Sequence, residues 1–169
     1  MHQAVSDLLT EFGVEQLTIA EVAARSGVHA TSIYRRWGTI QALLVDVAAA
    51  QLEVSSPVPD TGSLRGDLLA YATQAAEGLR RPEGLTFLGA VLAAARSDAT
   101  ASVTPVLAAR GAQIQIMLDR AAERGELALD YGIVLDVVLA PIYLRHLFGI
   151  GGVDGDYLVT LVDRAVTLH

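Results

Sequence analysis

Three of the chain's twelve cationic side chains, Arg25, Arg35 and Arg36, lie in or directly beside one stretch, SGVHATSIYRRW, from Ser26 to Trp37. The same stretch carries His29, Thr31, Ser32, Tyr34 and a turn-forming glycine, and every cation in the chain is arginine. These residue types suit one kind of chemistry. Hydroxyls can contact phosphate oxygens or base edges, and a guanidinium can read guanine bidentately. The chain as a whole is acidic, with formal net charge -7. Net acidity disfavours nonspecific binding to nucleic acid but leaves room for a local contact surface.

The elements that must position these side chains read as helices throughout. Apolar residues recur at three- and four-residue spacing, and no run of alternating β-branched and polar residues flanks a hairpin turn. A first helix covers about Gln3 to Phe12 and stops at Gly13. Thr18 caps a second, with Glu21 completing a capping box, and this helix ends at Gly27. A short third helix spans about Ala30 to Arg36, and Thr39 caps a fourth reaching about Glu53. Ile19, Val22, Ala23, Val28 and Ile33 fall where the second and third helices must pack. Two short helices joined by a Gly-containing turn form a helix-turn-helix, whose second helix enters the major groove.

The run LTIAEVAARSGVHATSIYRRWGTIQALL resembles the DNA-binding domain of the tetracycline-repressor (TetR) family of bacterial regulators. The matching features are Thr18, the Ala-Ala-x-x-Gly-Val run at Ala23 to Val28, the Ile-Tyr-Arg step at Ile33 to Arg35, Trp37, and Ala42-Leu43-Leu44. PDTGSLRGDL and PIYLRHL are similar to one C-terminal subtype, so the resemblance covers nearly the whole chain. It implies an all-α, homodimeric repressor that binds double-stranded DNA at a palindromic operator and is released by a small-molecule effector; the lack of a basic-then-apolar signal-peptide pattern and of cysteines makes a cytoplasmic protein the expectation. It also implies a helix-turn-helix domain over 1–53 and a ligand-binding and dimerisation domain over 54–169. Thr18, Thr31, Tyr34 and Arg35 match positions that usually face DNA; His29 and Arg36 occupy more variable ones, and Ser32 offers a further hydroxyl.

Departures from the family pattern bear on affinity. Ile40 stands where a lysine is frequent, and Ala30 where many relatives have a basic residue. The basic arm ahead of the first helix is missing, and a basic N-terminal segment is expected to belong to the native protein. Residues 1–53 hold three arginines (Arg25, Arg35, Arg36) against six acids, a net of -3. Phosphate contacts dominate DNA affinity, so six arginines per dimer predict a log–log salt slope of about -5 or shallower.

Beyond SSPVPDTG, a boundary rich in turn residues, five more helices follow, about nine in all. They begin near Ser63, Glu83, Pro105, Tyr131 and Asp156. Pro141 should kink the eighth. Val138, Ile142, Arg145 and His146 on the eighth helix, with Leu158, Leu161, Val162 and Ala165 on the ninth, are expected to form a twofold four-helix interface. That interface would account for a chain that is 52% hydrophobic. Tyr71, Gln74, Phe87, Val91, Gln113, Met117 and Tyr143 could line an effector pocket, although ordinary core packing explains each equally well; an apolar lining favours an apolar or aromatic effector.

Other chemistries find little support. The chain has no cysteine, so thiolate nucleophiles, disulfides and thiolate metal sites are excluded. His29 has no second ligand at useful spacing. GIGGVDG departs from G-x-G-x-x-G at Asp154 and follows no strand, so it reads as an interhelical linker. No Gly-x-Ser-x-Gly or His-Glu-x-x-His motif is present, so no enzyme, metal or cofactor is expected. No apolar run reaches the roughly 20 residues needed to span a bilayer. The competing reading is a helical dimer that binds a small molecule or a protein and has lost its DNA contacts.

Overall fold

A computed structural model of the chain describes residues 1–13, 16–55, 57–97 and 104–168. Glu15, in the charge count above, and Ser56, in the expected linker, lie outside the described residues. Among the described residues the regular structure is all helical: α1 (His2–Phe12), α2 (Ile19–Ser26), α3 (Ala30–Trp37), α4 (Ile40–Ser55), α5 (Leu64–Arg80), α6 (Pro82–Ser97), α7 (Thr104–Glu123), α8 (Tyr131–Ile133), α9 (Ala140–Leu147) and α10 (Gly155–Thr167). A π turn, Val134–Leu139, links α8 to α9.

The chain divides into two compact units. The first takes Met1–Glu53 together with Pro82–Leu107, and the second takes Val54–Arg81 and Ala108–His169. Along the chain the first break between the units falls after Glu53. However, α6 packs with the first unit, so the second is not one contiguous stretch from 54 to 169.

In the first unit, one face of each short helix is apolar and buries inward. Val5, Leu8 and Leu9 of α1 meet Ile19 and Val22 of α2, Ile33 of α3 and Leu43, Leu44 and Val47 of α4, with Phe87 of α6 closing the cluster. Burial of each such side chain stabilises the fold by roughly 1.5–3 kcal/mol. The turn between α2 and α3 is fixed at both ends of α2. Thr18 Oγ1 accepts from the Glu21 N–H at 3.3 Å while Glu21 Oε2 accepts from the Thr18 N–H at 2.9 Å, the reciprocal capping box read from the sequence. Gly27 ends the helix at φ 71°, in the left-handed region that a side chain resists.

In the second unit α5 packs against α9 and α10, and the π turn packs against α5, α9 and α10. The predicted eighth helix is therefore three pieces in series. Pro141 has no N–H to give, and its ring crowds the carbonyl four residues back. The backbone widens ahead of it, and the Ala140 N–H donates to Leu135 O five residues earlier, the π-helical pattern.

In this arrangement the apolar side chains expected at a twofold interface face their own unit. Val138, Ile142, Leu158, Leu161, Val162 and Ala165 are all buried within the single chain, among Leu68, Ala72, Ala75 and Leu79 of the same unit. Their helices carry apolar residues on more than one face, and α5 claims this one first. Arg145 and His146 are half-buried and bonded at home: Arg145 Nη1 donates to Gly151 O at 2.6 Å, and His146 Nδ1 lies 2.9 Å from Ile142 O. The apolar side chains left outward at the end of α9 are Leu144, Leu147 and Phe148, the last 69% exposed.

Candidate nucleic-acid interface

The seven side chains read from the sequence as facing DNA, Thr18, His29, Thr31, Ser32, Tyr34, Arg35 and Arg36, are all exposed. The helix period explains how. In α3 only Ile33 is fully buried. Anchored there, the helix turns Thr31, Ser32, Tyr34 and Arg35 away from the core. Tyr34, an aromatic that could equally have packed inward, is 56% exposed. Trp37 packs partly against the core instead. Its ring carries the Arg36 guanidinium 4.6 Å from the centroid, a cation–π contact that orients Arg36 without neutralising it.

The three arginines of this region are not equivalent. Arg25 Nη2 donates to Glu11 Oε2 at 2.7 Å, and the Glu11 carboxylate raises the Arg25 pKa. Arg25 is thus partly neutralised by α1. Among the described residues neither Arg35 nor Arg36 has an ion-pair partner. The Thr18 hydroxyl is committed to the cap, donating to Glu21 Oε2 at 2.8 Å, so Thr18 offers its helix end rather than a free hydroxyl. His29 precedes α3 without capping it through its side chain, and no group of metal-binding side chains occurs among the described residues.

The expected pocket residues separate. Phe87 and Val91 belong to the core of the first unit. Tyr71, Gln74, Gln113, Met117 and Tyr143 belong to the second, where Tyr71, Gln113 and Met117 are buried. The Tyr71 hydroxyl donates to Gln113 Oε1 at 3.0 Å and accepts from Arg110 Nη1 at 3.0 Å. Arg110 was not legible as a member of this cluster, because an isolated arginine on a helix usually faces solvent. One signal existed: Arg110, Gln113 and Met117 share one face of α7 at i, i+3 and i+7.

GIGGVDG is a linker tied to its own unit. Arg80 Nη2 donates to Val153 O, Arg145 holds Gly151 O and stacks 4.5 Å over Tyr157, and Asp154 caps α10 by accepting from the Tyr157 N–H at 2.9 Å. Arg80, Arg145, His146 and the loop Gly149–Val153 border a cleft of about 320 Å³. Elsewhere in the unit Asp67, fully buried, accepts from Thr61 and from Arg124, and Glu126 accepts from the Leu64 N–H and Arg124.

Two family models match the chain: "Bacterial regulatory proteins, tetR family" over residues 3–47 and "Tetracyclin repressor-like, C-terminal domain" over residues 58–165. The chain is 31% identical over 144 residues to the HTH-type transcriptional regulator AqdR of Rhodococcus erythropolis, covering 82% of this chain and 70% of that one. It is 31% identical over 167 residues to the uncharacterized HTH-type transcriptional regulator YdeS of Bacillus subtilis, covering 96% and 84%. The crystal structure of the TetR family transcription regulator SCO0332 superposes with a TM-score of 0.82 at 31% identity, covering 98% and 94%. That of BioQ with its natural double-stranded DNA operator shares the fold, with a TM-score of 0.66 at 16% identity, covering 99% and 96%. No helix among the described residues is long and apolar enough to cross a membrane.

Proposed function

The chain belongs to the tetracycline-repressor family of DNA-binding helix-turn-helix transcriptional regulators, and from that premise we propose that it is a ligand-responsive repressor binding a palindromic operator as a homodimer. The observation that carries this reading is the outward face of α3. It presents Thr31, Ser32, Tyr34 and Arg35 together, with Arg36 alongside and no carboxylate paired to either arginine among the described residues. Hydroxyls would position the helix on phosphates, and Arg35 would read a guanine edge in the major groove.

A single copy offers few contacts. Two free arginines neutralise too little phosphate for useful affinity, so two recognition helices on successive major grooves are required. Leu144, Leu147 and Phe148 lie at i, i+3 and i+4 and form an exposed apolar strip at the end of α9. A second copy of the chain would cover that strip. The effector would bind preferentially to the conformer whose two recognition helices no longer fit successive grooves, and so release the DNA by population shift.

One observation favours a second reading, a helical dimer without DNA binding: Arg25 is taken by Glu11, and the region carries net negative charge. Native mass measurement of the protein mixed with a DNA fragment of its own promoter separates the two. Two chains per palindrome support the repressor. A folded dimer that leaves the DNA free supports the alternative.

A further inference from the structure

Within the second unit a guanidinium is enclosed with no carboxylate paired to it among the described residues. Arg110 donates through Nη1 to the Tyr71 hydroxyl at 3.0 Å, and its carbon sits 5.4 Å over the Tyr71 ring. Among the described residues its electrostatic neighbours are Tyr71 and Tyr143, both also hydrogen-bonded to it, and no acid is among them. The acids of this unit with ion-pair partners serve other arginines: Asp163 with Arg65, Asp60 with Arg120 and Arg124, Asp67 and Glu126 with Arg124. Removing a cation from water without a counter-charge costs several kcal/mol. A fold under selection for stability alone would place an apolar side chain there.

Among the described residues two polar side-chain atoms of this unit are enclosed with no hydrogen-bond partner: the donor Arg110 Nε and the acceptor Gln74 Oε1. Gln74 is three residues after Tyr71, on the same face of α5. The Tyr71 proton goes to Gln113 Oε1, so the Tyr71 oxygen turns its lone pair to Arg110 and cannot serve Gln74 as well. Tyr131 lines the same region: a side chain added at Gly111 would meet its ring at 3.7 Å. Burial pushes the Tyr71 hydroxyl pKa up, which keeps that hydroxyl neutral and leaves Arg110 without an anionic partner.

We infer that the effector is a small aromatic organic acid bound as its carboxylate at Arg110, carrying a hydroxyl or amino donor for Gln74. The inference rests on the ligand-responsive reading and replaces the apolar effector expected from the sequence with an anionic one. The carboxylate satisfies the guanidinium edge that includes Nε, a planar pairing suited to arginine. The donor satisfies Gln74 Oε1, and Tyr71, Tyr131 and Tyr143 supply aromatic surface for the ring.

The test is thermal unfolding with matched pairs, salicylate against salicylamide and benzoate against benzamide. Each is added at about 10 mM, above the dissociation constant of a ligand worth about 4 kcal/mol. Salicylate should raise the Tm most, benzoate less, and the amides little or not at all. Arg110→Met should abolish the response to both acids while leaving the ligand-free Tm unchanged or higher, as removal of an unpaired buried charge does. Gln74→Leu should remove the advantage of salicylate over benzoate and keep the benzoate response.

Amides that stabilise as well as the acids overturn the inference. So does absence of any acid response, or an Arg110→Met protein whose ligand-free Tm falls sharply. Operator binding is measured separately. Acid stabilisation without DNA binding retains the acid site and removes the repressor. DNA binding with no acid response does the reverse.

Discussion

Arg35 is the residue on which the proposed recognition turns. It projects from the exposed face of α3, and no ion pair competes for it among the described residues. Arg35→Ala should weaken operator binding by about 1–3 kcal/mol, roughly 5- to 150-fold, and relax sequence preference at one position; a titration of wild type and variant against operator and scrambled DNA checks it. The same change should leave the Tm of the free protein nearly untouched, because the side chain is exposed and unpaired. Glu126 and Asp163 act on stability. The Leu64 N–H, then Arg124, holds the Glu126 carboxyl below its usual range, and Arg65 does the same for Asp163. A carboxyl with a lowered folded-state pKa adds stability that is fully present above the usual carboxylate range. That stability is lost as pH falls through the range toward the lowered value. Tm measured from neutral pH downward should therefore begin to fall near the usual carboxylate pKa, and Glu126→Gln should flatten part of that fall.

At the scale of elements, most of what positions the interface was legible because it is local. The capping box at Thr18 and Glu21, the glycine after α2 and the buried Ile33 each follow from a few neighbouring residues. Thr18→Ala should cost roughly 1 kcal/mol through the lost cap, read as a lower Tm. What was not legible was the choice among apolar faces. In α9 and α10 the residues Ile142, Leu158, Leu161 and Val162 have the right spacing for an interface between copies, yet they are buried against their own chain. Period alone reports that a face is apolar, not which neighbour covers it. Leu144, Leu147 and Phe148 form an exposed strip at the end of α9. A Leu144→Glu, Phe148→Asp double variant should shift the protein to a monomer in light scattering with its helical content retained, and a dimer that persists would move the interface elsewhere.

For the whole molecule, the all-helical architecture could be read from the sequence, because glycines, prolines and caps punctuate the helices. The membership of α6 in the first unit could not. Phe87 and Val91 looked like pocket residues by composition and pack instead in the first unit's core, a long-range pairing that no local signal encodes. Arg110 was missed for the complementary reason: its surroundings come from helices far apart in sequence. The charge distribution of the whole molecule sets the decisive experiment. Arg25 is held by Glu11, so of the arginines in residues 1–53 Arg35 and Arg36 are left to release counterions. Operator binding should be measured by fluorescence anisotropy across a salt series. Saturable binding whose log affinity falls against log salt with a slope of about -4 or shallower is the expected result. No saturable binding at low salt, from a protein shown to be a folded dimer, would contradict it.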